Sequence, residues 1–224
     1  ILHSAAFYSC LRLRRVDAGP NLESLGSDLF TNCRALRTFA LRAAPDGETG
    51  LKKLLGAVSA DVGVEFLGEP GATLFYPEYF EWLDENTPAH IFNHSIEGEG
   101  YRMRQCFAGG MVDYSAYDAT FAQACVGESE EKLCRMALAR LLAPFALSEN
   151  ARADYEFYLT GHPDAAFALA IAERREAALR LLVGLGLDVR EAAARCARAG
   201  WSAGATILLA RPKRAAKQYD FDDL

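Results

Sequence analysis

Leu2-His3-Ser4-Ala5-Ala6-Phe7-Tyr8-Ser9-Cys10-Leu11-Arg12-Leu13-Arg14-Arg15-Val16 is answered by Leu25-Gly26-Ser27-Asp28-Leu29-Phe30-Thr31-Asn32-Cys33-Arg34-Ala35-Leu36-Arg37-Thr38-Phe39, at an interval of 23 residues. Leu2/Leu25, Ser4/Ser27, Phe7/Phe30, Cys10/Cys33, Leu13/Leu36 and Arg14/Arg37 match, and each copy ends on an apolar residue, Val16 or Phe39. Self-similarity at a fixed period of this size marks chain that stacks unit on unit, because one unit cannot bury its apolar edge without a neighbour. Within each unit apolar residues fall at every third position, then give way to a short piece of period two such as Phe39 and Leu41. That pattern predicts a tight helical or 3-10 turn feeding a strand. Strands laid parallel from unit to unit would build a continuous sheet, with Phe7, Cys10, Leu13, Phe30, Cys33 and Leu36 as successive rungs of one core.

The spacing Ala6-Phe7, Cys10, Leu13 and Val16, followed by Leu22-Glu23-Ser24-Leu25-Gly26, resembles the BspA-like leucine-rich repeat, whose units carry AFxxCxxLxxV and then LxxIG. It returns as Leu29-Phe30, Cys33, Leu36 and Phe39, and the resemblance covers about a fifth of the chain. It implies the end of a repeat array that serves as a binding scaffold. The chain opens on Ile1 inside the pattern, so the expectation is the C-terminal part of a longer array. After Arg42 the repeat decays. Ala44 to Gly50 is rich in turn residues, Leu51, Leu54, Leu55 and Val58 suggest a last degenerate unit, and Val62, Val64 and Phe66 alternate as a strand does. Leu74-Phe75-Tyr76 suits another strand. Residues 1–80 are therefore expected to hold the repeats and their cap.

Aromatic residues crowd the next stretch: Phe75, Tyr76, Tyr79, Phe80, Trp82, Phe92, Tyr101, Phe107, Tyr114, Tyr117 and Phe121. Such density marks a packed junction, centred on 81–112, or alternatively the walls of a ligand groove. Glu78 to Glu85 after Pro77 suggests a short helix, and Thr87-Pro88 a second. From 113 to 211 the chain is rich in Ala and Leu and punctuated by Pro144, Gly161, Pro163, Gly184, Gly186 and Gly200, which predicts short helices. Asp188 to Glu191 has the spacing of a capping box. The run Ala166 to Leu182, ending at Gly186-Leu187-Asp188-Val189, resembles the helix pair of an ankyrin repeat, and Arg190 to Leu209 is a looser copy, without the Thr-Pro-Leu-His opening. The fold expected is thus α+β: the short end of a leucine-rich-repeat β-solenoid packed on a C-terminal array of α-helical hairpins. Residues 212–224 run from basic to acidic and suggest a mobile tail, or a docking motif anchored by Tyr219, Phe221 and Leu224.

Chemistry is sparse. His90 and His94 lie four apart, as metal ligands on a helix do, but Ile91 stands where a zinc protease motif has Glu, and no third ligand is evident. Cys106 lacks the surroundings of a nucleophile motif. Gly98-Glu99-Gly100 sets an acid where a phosphate loop needs open backbone, and Gly109-Gly110 marks a turn. No catalytic residue, cofactor or metal is expected. The suggestive polar set is Arg12, Arg14 and Arg15 in one unit with Arg34, Arg37 and Arg42 in the next. Stacked at the repeat interval, they either solvate an exposed face or form a basic stripe for an acidic protein partner.

A formal net charge of −6 over 224 residues argues against nucleic acid as a partner. No apolar run is long enough to span a bilayer. Six cysteines without tight pairing suggest reduced, mostly buried thiols, which favour the cytoplasm. The family resemblance implies exported members, so the cell surface or secretion stays open. The expected function is a non-catalytic scaffold for protein–protein interaction. Two alternatives stand beside it. One is a small-molecule or enzymatic module using residues 75–121, with His90, His94, Arg102, Arg104 and Cys106 near a pocket. The other is a structural module that caps the array.

Overall fold

The structure is a computed structural model that describes residues 1–86 and 91–210. His90, Thr87-Pro88 and the tail anchors Tyr219, Phe221 and Leu224 lie outside the described residues. The fold is mixed α+β. Strands β1 (Arg15–Ala18), β2 (Thr38–Leu41), β3 (Val62–Phe66) and β4 (Ala72–Tyr76) form one sheet in chain order. The first three run parallel and β4 returns antiparallel.

The sequence repeat is also a backbone repeat. Val16 lies opposite Phe39 in β1 and β2, and Leu2 bridges Leu25, both at the 23-residue interval. Between those points the N–H groups of Ala5, Phe7 and Ser9 donate to the carbonyls of Ser27, Leu29 and Thr31 at 2.9, 3.1 and 2.8 Å. Left-handed residues recur in step: Ala5 with Asp28, and Ser9 with Asn32. Two turns of chain therefore lie in register along their whole length. Gly26 lets them approach, since a Cβ there would sit 2.1 Å from the Ser4 nitrogen. In the third turn Thr38 lies opposite Gly63, and the intervening chain holds helix α1 (Leu51–Gly56), whose Leu51, Leu54 and Leu55 are fully buried.

Side chains from these turns fill a common core. The Phe7 and Phe30 rings stack at 5.7 Å, nearly parallel, and Phe30 meets Phe39 at 5.5 Å. Phe30 and Leu36 are buried, Cys33 half-buried. Their counterparts differ: Phe7 and Leu13 are half-buried and Cys10 is exposed. Mostly buried thiols were the expectation; Cys10 and Cys125 are exposed.

Beyond the sheet, β5 (Phe80–Asn86) and β6 (Ile91–Glu97) pair antiparallel, as do β7 (Phe107–Ala108) and β8 (Met111–Val112). The helix expected over Glu78 to Glu85 is therefore a strand. Tyr79 N–H is held by the Ser59 carbonyl and Glu78 N–H by Asp61 Oδ1, so the chain leaves Pro77 extended toward its antiparallel partner. Between the two pairs stands the single turn α2 (Gly100–Met103).

Helices α3 (Tyr114–Ala119), α4 (Phe121–Gly127), α5 (Glu130–Leu142) and α6 (Glu149–Gly161) follow. Helix α5 packs on β4 and on α6. The chain divides into two compact units, Ile1–Ala166 and Phe167–Leu224, so helices α3 to α6 belong with the strands.

Helix α7 (Pro163–Ala172) leads into the second unit, with α8 (Glu176–Gly184), α9 (Arg190–Arg198) and α10 (Ser202–Leu209). In α8, Ala178, Leu179 and Leu182 are buried, Leu182 lying one turn beyond the first two on the same apolar face. The two turns α7–α8 and α9–α10 close alike. Arg174 and Gly200 are left-handed, and the following N–H groups, of Arg175 and Trp201, reach back to Ala170 and Cys196 at 2.9 Å. This is the Schellman closure of a helix end. The capping box expected at Asp188 does not form. Val189 occupies the N-cap of α9, and Asp188 instead holds Arg190, while Glu191 holds Arg195 and Arg198.

Candidate functional site

Two exposed surfaces and a groove in the first unit carry polar and apolar groups outside the core. The first surface is the flank of the stacked turns. Arg14 and Arg37 directly precede β1 and β2, and the Arg37 N–H donates to the Arg14 carbonyl at 2.9 Å, so the two residues are neighbours across the turns. The arginines nevertheless differ in what they can offer. Arg15 is neutralised by Asp17 and Glu65, each at 2.7 Å, and Arg37 folds its guanidinium onto the carbonyls of Arg34 and Leu36. Arg12, Arg14 and Arg34 are exposed and carry no ion pair among the described residues. The stripe stops at the third turn, where Val62 takes the place of Arg37 and is buried. Beside it, Ile1, Tyr8 and Leu11 are exposed.

The second surface is the β5–β6 hairpin. Phe80, Trp82, Leu83 and Ile96 are all exposed on it, and no third strand joins the pair among the described residues. By the register, Phe80 and Trp82 share one face of the pair, and Leu83 and Ile96 share the other. His94 pairs with Glu81 across the strands. His94 lies on β6 and not on a helix, so the helical spacing expected of it does not apply. Among the described residues no cluster of three metal-ligating side chains occurs. The hairpin leaves and re-enters the fold at a close crossing. Gly98 is left-handed there, and a Cβ would sit 2.8 Å from the Glu78 carbonyl.

At its base the aromatic zone is filled by its own side chains. Arg104 is buried, and donates to the carbonyls of Val58, Ala60, Pro77 and Gly100 at 2.6 to 3.1 Å while lying over the Tyr76 and Tyr79 rings. Burial lowers its pKa to about 10, partly offset by those tyrosines. Tyr117 donates to the Phe75 carbonyl at 2.6 Å and packs edge-on to Tyr76. Burial raises both hydroxyls above the ordinary tyrosine range. Cys106 is buried, its thiol also pushed up by desolvation. Arg102 is exposed and pairs with Glu99. Arg104 and Cys106, expected near a pocket, are thus packing groups.

A deeper core site escaped sequence reasoning. Asp118 on α3 and Arg140 on α5 meet through two hydrogen bonds, and Tyr155 on α6 donates to the same carboxylate at 2.8 Å. Nothing in the spacing of these residues signals it. The groove, of about 380 Å³, is lined by Asn21, Leu22, Glu23, Glu48, Lys52 and Lys53 among others, and Gly110 is its one contribution from the aromatic zone. Lys53 is engaged there by the Glu23 carbonyl.

Comparison of the chain with family models, curated proteins and solved structures finds no match. Among the described residues no helix is long and apolar enough to cross a membrane.

Proposed function

We propose that this chain is a non-catalytic scaffold for protein–protein recognition, the end of a BspA-like leucine-rich-repeat solenoid that continues into ankyrin-like helical hairpins. The repeat reading draws its support from the 23-residue register of the first two turns. The observation that carries recognition is the exposure of Phe80 and Trp82 on one face of the hairpin, with Leu83 and Ile96 exposed on the other. Aromatic and aliphatic anchors of this kind supply most of the binding energy in an interface. The exposed Arg12, Arg14 and Arg34 add a positive flank, which raises association rate and selectivity for an acidic partner. The ligand-groove alternative for residues 75–121 is less well supported, because the rings of that zone pack on one another and on Arg104.

Affinity capture with the full chain tests this reading. Trp82→Ala with Leu83→Ala is expected to abolish capture of a specific partner, and Arg14→Glu to slow it. Capture unchanged by both sets of substitutions removes the proposal. A structural capping role would instead leave partner capture intact while deletion of the helices causes aggregation.

A further inference from the structure

Cys10 and Cys33 stand one above the other on adjacent turns. The register is 23 residues on both sides of them, with Leu2 opposite Leu25 before and Arg15 opposite Thr38 after. Between these points the left-handed residues recur at the same interval, and Ser9 N–H donates to the Thr31 carbonyl immediately beside the thiols. Neighbouring chains in such a ladder run about 4.8 Å apart. A disulfide bridges Cα atoms roughly 4.4–6.8 Å apart. One oxygen shows how closely the two residues converge. The Phe7 carbonyl accepts the Cys10 N–H at 3.1 Å and the Cys33 thiol at 2.9 Å. Cys10 is exposed and Cys33 half-buried, whereas Cys106, Cys134 and Cys196 are buried.

We propose that Cys10 and Cys33 form an oxidative modification site, closing into a disulfide across the two turns when a peroxide reaches Cys10. The Cys10 thiolate attacks one peroxide oxygen, the O–O bond breaks, and a sulfenic acid and one water result. The Cys33 thiolate then attacks that sulfur, an S–S bond forms, the S–O bond breaks, and the oxygen leaves as a second water. Two thiols lose two electrons and two protons, and hydrogen peroxide takes them up. The exposed bond is open to reduction by a small thiol, which restores the starting state. Its effect is local. The first turn is held to the second by the backbone ladder and the Phe7–Phe30 stack, and a covalent tie between them strengthens that hold.

The test treats the full chain with hydrogen peroxide under native conditions and maps the peptides without reduction. The expected result is a Cys10–Cys33 linked peptide pair, about 2 Da lighter than the two free peptides and released by dithiothreitol. Protease resistance of residues 1–43 rises with it in the wild type and does not rise in Cys10→Ser. Three outcomes overturn the proposal: Cys10 passing to sulfinic acid or an intermolecular disulfide with Cys33 still free; no reaction at Cys10; or equal yield of the link in urea, where the register is lost.

Discussion

Asp118 and Arg140 meet with Nε–Oδ1 at 2.7 Å and Nη2–Oδ2 at 2.8 Å, and neither side chain has appreciable contact with water. The pair joins α3 to α5 inside the same compact unit as the sheet, while Arg140 also reaches the Phe145 carbonyl and Tyr155 completes the carboxylate. An ion pair removed from water is costly to split, because either partner left alone is an uncompensated charge. Asp118→Ala is expected to lower the stability of the first unit by about 3–5 kcal/mol. Tyr155→Phe removes one charge-assisted hydrogen bond and costs about 1.5–3 kcal/mol. Urea unfolding followed by tryptophan and tyrosine fluorescence reads both. A loss under 1 kcal/mol for Asp118→Ala, on the order of an exposed pair, contradicts this account of the core.

Gly26 and Gly19 make a matched pair for testing how tightly the turns stack. A Cβ at Gly26 would fall 2.1 Å from the Ser4 nitrogen and 2.5 Å from its Cα, both backbone atoms that cannot rotate away. A Cβ at Gly19 meets nothing within 4 Å. Gly26→Ala is therefore expected to cost about 1–3 kcal/mol, the usual range for overpacking. Gly19→Ala is expected to be neutral or slightly stabilising through the unfolded state. Thermal unfolding of the two variants side by side decides the matter; equal effects would mean that the turns are not in close contact at Gly26.

The same comparison explains what the sequence discloses and what it hides. Two turns were legible because Phe7, Cys10 and Leu13 recur letter for letter as Phe30, Cys33 and Leu36, and register follows from the interval alone. The burial asymmetry between the copies was not, since Cys10 and Cys33 are identical residues whose exposure depends on which neighbour each turn has. Arg104 is expected near a pocket from sequence, and Arg140 carries no signal there at all. Their burial depends on carbonyls and a carboxylate brought in from distant chain, as Val58 to Arg104 and Asp118 to Arg140 show. The β5 strand was missed because Pro77 followed by acidic residues mimics a helix start, while its antiparallel partner β6 is a non-local contact.

Asp188 gives the clearest pH signature. Its carboxyl is fully exposed, and hydrogen bonds from the Arg190 side chain and N–H hold its pKa at about 2. A depressed carboxyl stabilises the folded form above its unfolded value of about 4, and that contribution is lost as pH falls through about 2. NMR titration of Asp188 in the folded chain is expected to show this low midpoint, and Arg190→Gln to return it to the ordinary carboxylate range. An unshifted midpoint in the wild type would show that Arg190 does not hold the carboxylate in solution.

Arg174 and Gly200 occupy the same left-handed place in the two helical turns of the second unit, at φ of 50° and 63°. Only glycine adopts that conformation without a penalty from its Cβ, and the penalty for other residues is roughly 1 kcal/mol. The chain already uses glycine in one turn and arginine in the other, so opposite substitutions should shift stability in opposite directions. Arg174→Gly is expected to stabilise the second unit by about 1 kcal/mol, reduced slightly by loss of the long 3.4 Å contact from Arg174 to the Ala199 carbonyl. Gly200→Ala is expected to destabilise it by a similar amount, with no steric clash to add, since nothing lies within 4 Å of a Cβ there. Hydrogen exchange at the Arg175 and Trp201 amides, each bonded back to the preceding helix, reports the two closures separately. Faster exchange at Arg175 in Arg174→Gly would show that the arginine side chain, rather than the backbone conformation, governs that turn.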